Sequence, residues 1–86
     1  MIENKYDLFE MYDNFVRSQA EKRNLKDCST KCFKGEYIVT IPSIHLKYSI
    51  DIEYLLLNLK ADYETEKSNI IFYISRYYSR NKAKIA

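Results

Sequence analysis

At 86 residues the chain has room for one domain, residues 1–86, with a modest core. Its 47% hydrophobic content is ordinary for a folded protein and argues against disorder despite 30% charge. One Gly excludes the glycine-rich loops that cradle nucleotide phosphates, and a net charge of +2 does not by itself mark a nucleic-acid binder.

With one Gly and one Pro, sharp turns are few and long regular elements are expected. From about Lys5 to Asn24, the residues Leu8, Phe9, Tyr12, Phe15, Val16 and Gln19 recur at helical spacing. Asp7, Glu10, Asp13, Arg17 and Glu21 fall largely on the other side, so this is a surface helix with one buried stripe. Leu25 to Glu36 is polar, holds Gly35, and reads as a connection with a helical turn around Asp27–Lys31.

Tyr37 to Ile41 is β-branched or aromatic throughout, as strands prefer. After Pro42-Ser43, the residues Ile44, Leu46, Tyr48 and Ile50 alternate with His45, Lys47 and Ser49. Either two strands form a hairpin about Pro42, or the second run begins a helix; unbroken alternation favours two strands. Asp51 is a suitable N-cap, followed by a helical face of Ile52, Leu55, Leu56, Leu59 and Tyr63. Ser68 caps a last helix whose stripe is Ile70, Ile71, Ile74, Tyr77 and Tyr78. One continuous helix is the alternative; two are preferred. The fold class is therefore α+β: an N-terminal helix, a short β-hairpin or ribbon, then two amphipathic helices. Phe72 and Tyr73 lie off the last stripe, so that helix is apolar around most of its circumference and is expected to be buried on two sides.

Little in the chain supports catalysis. His45 is the one His, and no nucleophile elbow or oxyanion motif accompanies it. Cys28 and Cys32 with His45, and Asp27 or Glu36 as a fourth group, lack the paired ligand spacing of zinc sites. The favoured reading is two reduced thiols, one filling a core gap, with no metal and no cofactor. Asp51/Glu53 and Glu64/Glu66 diverge at their spacing and read as solvated faces. Met1 to Lys5 lacks the apolar region of a signal peptide, and no run approaches a membrane span. A cytoplasmic protein with no membrane partner is expected.

Charge is unevenly spread. Asp51, Glu53, Asp62, Glu64 and Glu66 are followed by Lys67, Arg76, Arg80, Lys82 and Lys84 with no acid among them. A basic helix end also answers its own dipole, and that reading stands beside a phosphate contact. Nine Tyr, four Phe and no Trp reflect AT-rich coding first, and suit surfaces partly buried against a partner second.

One strand, His45-Leu46-Lys47-Tyr48-Ser49-Ile50, followed by two amphipathic helices, resembles the ribbon–helix–helix family of dimeric transcription factors over residues 37–82. The resemblance implies a homodimer that inserts His45, Lys47 and Ser49 into the major groove of duplex DNA. It also implies phosphate contacts from Lys67, from backbone N–H groups of Ser68 and Asn69 at a helix start, and from the basic Arg76 and Arg80. The chain departs from the family in lacking a Gly between its helices, in having Tyr37–Ile41 before the ribbon, and in its long N-terminal helix. In size and style the chain is also similar to small phage and mobile-element proteins that block host enzymes, anti-CRISPR proteins among them. That likeness implies a viral inhibitor of a host nucleic-acid-processing protein, with Tyr54, Leu57, Phe72 and Tyr73 as its protein interface. The expectation is a non-enzymatic binding protein, a DNA-binding regulator first and an inhibitor second.

Overall fold

The computed structural model describes residues 4–57 and 63–85. Helix α1 spans Lys5–Lys22. Asn4 caps its start, its side-chain oxygen accepting from the Tyr6 and Asp7 N–H groups at 2.9 and 3.1 Å. Leu8, Tyr12, Val16, Gln19 and Ala20 form the buried stripe. The helix ends in a Schellman turn. Asn24 takes the left-handed conformation at φ 57°, and the Leu25 N–H reaches back to the Ala20 carbonyl at 2.9 Å.

The segment expected to be a connection holds a strand. β1 spans Ser29–Phe33 and pairs antiparallel with β2, Glu36–Ile41. Its residues give no alternating signal because it is an edge strand with only Thr30 half-buried. Pairing with β2, rather than burial, holds it in place. Phe33 opposes Glu36 across a two-residue turn in which Lys34 and Gly35 both have positive φ, 51° and 78°. The one Gly of the chain is spent on this tight turn, where any Cβ would meet the Glu53 side chain.

The hairpin about Pro42 is present. A short 3-10 turn, Pro42–Ile44, joins β2 to β3, Leu46–Asp51, in antiparallel register. His45 is not the first residue of that strand. It sits at φ 57° and caps the turn, its N–H donating to the Pro42 carbonyl at 3.0 Å. The sheet order is β1-β2-β3.

Asp51 caps α2, Ile52–Leu57, accepting from the Tyr54 N–H at 2.9 Å. Leu59, expected on the buried face of this helix, lies outside the described residues. The last helix, α3, starts earlier than its sequence signals indicate: it spans Tyr63–Ile85, so Tyr63 opens it and Ser68 lies inside it. Ile70 and Ile74 are its deepest residues, whereas Ile71 is turned outward. No helix among the described residues is long and apolar enough to cross a membrane.

Helices α1 and α3 run parallel on the same face of the sheet. The Tyr12 hydroxyl donates to the Tyr63 carbonyl at 3.3 Å, and about three turns further on Arg23 donates to Ser75 Oγ at 2.7 Å. Between helices and sheet, Leu8, Tyr12, Val16, Ile70 and Ile74 pack with Tyr37, Val39, Ile41, Leu46 and Ile50 in one core. Both helices thus cover one face of the sheet and leave the other bare.

Candidate functional site

In antiparallel strands, directly opposed side chains point to the same side. The register therefore assigns the bare face row by row. Ser29, Thr40 and Lys47 form the first row, Lys31, Ile38 and Ser49 the second, and Phe33, Glu36 and Asp51 the third. Ser29, Lys31, Phe33, Lys47 and Ser49 are exposed, and Thr40 and Ile38 are half-buried by their neighbours. The first two rows contain two lysines and three hydroxyls but no acid. Phe33 stands 55% exposed, with the Lys31 and Lys34 ammonium groups 5.8 and 5.3 Å from its ring centre.

Lys47 and Ser49 lie on this face, as the strand alternation requires, and His45 sits at its rim. The other residues anticipated for DNA contact lie on the helices. Lys67 lays its ammonium over the Phe15 ring at 5.6 Å and pairs with Glu64 at 3.4 Å. Ser68 and Asn69 are interior residues of α3, so their N–H groups are committed to carbonyls four residues back and offer no phosphate cradle. Arg76 and Arg80 stack over Phe72 and Tyr77, each 5.9 Å from the ring centre. The anticipated set thus divides between two surfaces. Of the residues missed, Ser29, Lys31 and Phe33 stand on β1, which was not expected to be a strand, and Thr40 stands on β2, opposite Lys47.

The C-terminal ends of both helices lie beside the Pro42–His45 turn: Asn81 donates to the Ile44 carbonyl at 3.2 Å, and Asp27 accepts from the Ser43 N–H and hydroxyl at 2.6 and 2.8 Å.

The anticipated protein-contact residues fall on two helices. Tyr54 and Leu57 are exposed on α2. On α3, Phe72 is 55% and Tyr73 38% exposed; their rings meet at 5.5 Å, and Tyr73 also packs on Tyr48 at 5.1 Å.

One polar cluster lies under the sheet. The Asp13 carboxylate accepts from the Thr30 hydroxyl at 2.5 Å, the Tyr37 hydroxyl at 3.2 Å and the Arg17 guanidinium at 3.0 Å. Burial pushes the Asp13 carboxyl up, but the hydrogen bonds from Thr30 and Arg17, the Arg17 charge and the Tyr37 hydroxyl outweigh it and hold the carboxyl below its ordinary value. Burial first, and the Asp13 charge second, push the Tyr37 hydroxyl upward, so it stays a donor. The group fastens α1 to β1 and β2. A depressed carboxyl contributes stability above its unfolded-state pKa, about 3.9, and loses that contribution as pH falls through the lower folded value. Thermal melts of the wild type should lose midpoint steeply below about pH 4. Asp13→Asn, which cannot ionise, should flatten that acid limb. An unchanged acid limb in the variant would show that the cluster does not link α1 to the sheet.

Among the described residues no group of three or more His, Cys, Asp or Glu side chains is placed to hold a metal ion. Cys28 and Cys32 are free thiols; burial pushes the Cys28 thiol up, and Cys32 is exposed on β1. The chain matches no protein-family model, no curated protein and no solved structure.

Proposed function

We propose that the protein is a non-enzymatic DNA-binding regulator that docks the bare face of its sheet on duplex DNA. The observation that carries this reading is the acid-free pair of rows, Ser29-Thr40-Lys47 and Lys31-Ile38-Ser49, on a face that no helix among the described residues covers. Lysines supply the charge that displaces counterions from phosphates, and short hydroxyls hydrogen-bond to phosphate or base edges alike. Across three strands the face is two strand spacings wide, about 10 Å, against about 12 Å for the major groove. The ribbon–helix–helix likeness is a narrower form of this reading, with Lys47 and Ser49 in the groove; the sheet face adds Lys31, Ser29 and Thr40. A protein of this kind would act in the cytoplasm.

Fluorescence anisotropy of a labelled duplex across a salt series tests it. The expected result is binding whose log K falls linearly with log salt, with a slope of about −2 to −3 for two or three lysine–phosphate contacts. No binding at low salt would overturn the reading.

A second reading, a small inhibitor of a host nucleic-acid-processing protein, is supported by the exposed Phe72 and Tyr73 beside Arg76 on the outside of α3. It predicts that a purified host target loses activity in the presence of the protein, and that Phe72→Ala abolishes the effect while leaving the fold intact.

A further inference from the structure

Each outer strand of the sheet has one edge without a strand partner among the described residues. An open edge offers unpaired backbone N–H and C=O groups and is a template for another strand. The two edges differ in what they can accept. For β1, the antiparallel self-pairing of greatest overlap is centred on Lys31 and sets that lysine against itself, a like-charge pair that destabilises a ladder.

The β3 edge behaves differently. A two-fold axis normal to the sheet keeps the bare faces of both copies on one side, so it must pass through a residue rather than between two. Two such registers give the greatest overlap. Centred on Tyr48, the pairing leaves Lys47 opposite Ser49 of the second copy and matches no charges. Centred on Ser49, it sets Lys47 opposite Asp51 of the second copy, and Asp51 opposite its Lys47. On the helix side the same register sets Tyr48 opposite Ile50, an aromatic against a β-branched residue.

The charges also need such a partner. Asp51 directly opposes Glu36 within the sheet, two carboxylates side by side. Neither these two acids nor Lys47 has an ion pair among the described residues. Lys47 of a second copy would extend the row Phe33-Glu36-Asp51 and neutralise its acidic end. The exposed aromatics of α3 flank this edge, with Tyr73 packed on Tyr48 and Phe72 beside it.

We propose that the protein pairs with a second copy of itself along the outer edge of β3, centred on Ser49, to form one continuous six-stranded sheet. The two bare faces then lie in one plane, related by the two-fold axis. This inference does not rest on the nucleic-acid reading, and its test is made without nucleic acid.

Light scattering after size exclusion should give twice the chain mass for the wild type. Ser49→Lys places two ammonium groups on the axis and should return a monomer. Lys47→Glu should likewise give a monomer, and the exchanged pair Lys47→Glu/Asp51→Lys should restore the dimer despite loss of the α2 cap. Lys31→Glu on β1 should remain dimeric. Ser49→Cys in a Cys32→Ser background should form an intermolecular disulfide on mild oxidation. A monomeric wild type, or Ser49→Lys and Lys47→Glu that both stay dimeric, overturns the proposal.

Discussion

Tyr37→Ala is expected to leave the chain unfolded at room temperature. Tyr37 is fully buried at the centre of the molecule, in the middle strand, between Cys32 of β1 and Ile50 of β3. Its ring meets that of Phe9 from α1 in a T-shaped contact at 5.2 Å, and its hydroxyl donates to Asp13 at 3.2 Å. Truncating a buried ring of this size costs about 3–5 kcal/mol, and a domain this small sits near the lower end of the usual 5–15 kcal/mol. The variant therefore loses all or nearly all of its margin. Tyr37→Phe separates the two contributions. It keeps the ring and removes only the hydroxyl, while Thr30 and Arg17 still serve Asp13, so it should cost about 0.5–1.5 kcal/mol. In far-ultraviolet dichroism the Phe variant should melt cooperatively about 4–8 °C lower per kcal/mol lost, and the Ala variant should show no cooperative transition. An Ala variant that melts near the wild-type temperature would mean that β2 is not the centre of the core.

The second large effect concerns binding. Lys31→Ala/Lys47→Ala should lower the magnitude of the salt slope for duplex binding by about two, one for each lost phosphate contact. At physiological salt the loss should exceed tenfold. Lys31→Ala alone separates charge from assembly, because Lys31 is on β1, away from the β3 edge. It should lower the slope by about one and leave the oligomeric state unchanged. An unaltered slope in the double variant would place the contact elsewhere, with Arg76 and Arg80 the next charges to remove.

The Lys31 substitution depends on a strand that the sequence conceals, and the reason is physical. α1 was legible because a full stripe from Leu8 to Ala20 is buried, and periodicity is the imprint of burial. β2 and β3 were legible because Tyr37, Val39 and Ile41, then Leu46 and Ile50, alternate against the same core. β1 has no such imprint. Ser29, Lys31, Cys32 and Phe33 are all exposed, so the strand is fixed by backbone pairing to β2 and by the Lys34-Gly35 turn. The clue available was Gly35 between two runs tolerant of extended backbone, which a two-residue turn explains better than a loop.

The start of α3 misled for a related reason. Ser68 has the chemistry of a cap, but the segment from Tyr63 contains nothing that breaks a helix, and Tyr63 and Glu66 are drawn in by Tyr12 and Tyr48 of the core. Tertiary contacts carry the helix back past its local start signal. That displacement removes the helix-start phosphate site and moves the weight of the nucleic-acid reading onto the sheet. His45 changed for a local reason: the 3-10 turn before it needs a left-handed residue to re-enter the strand, and that role takes His45 out of the alternation.

The most direct test of the central claim is an amide chemical-shift titration of the protein with a short duplex at low salt. Docking on the bare sheet face predicts that the largest shifts fall on Ser29, Lys31, Ile38, Thr40, Lys47 and Ser49, with α3 from Ile70 to Arg80 little changed. Shifts confined to α3 around Phe72, Tyr73 and Arg76, or no shifts at all, would contradict it.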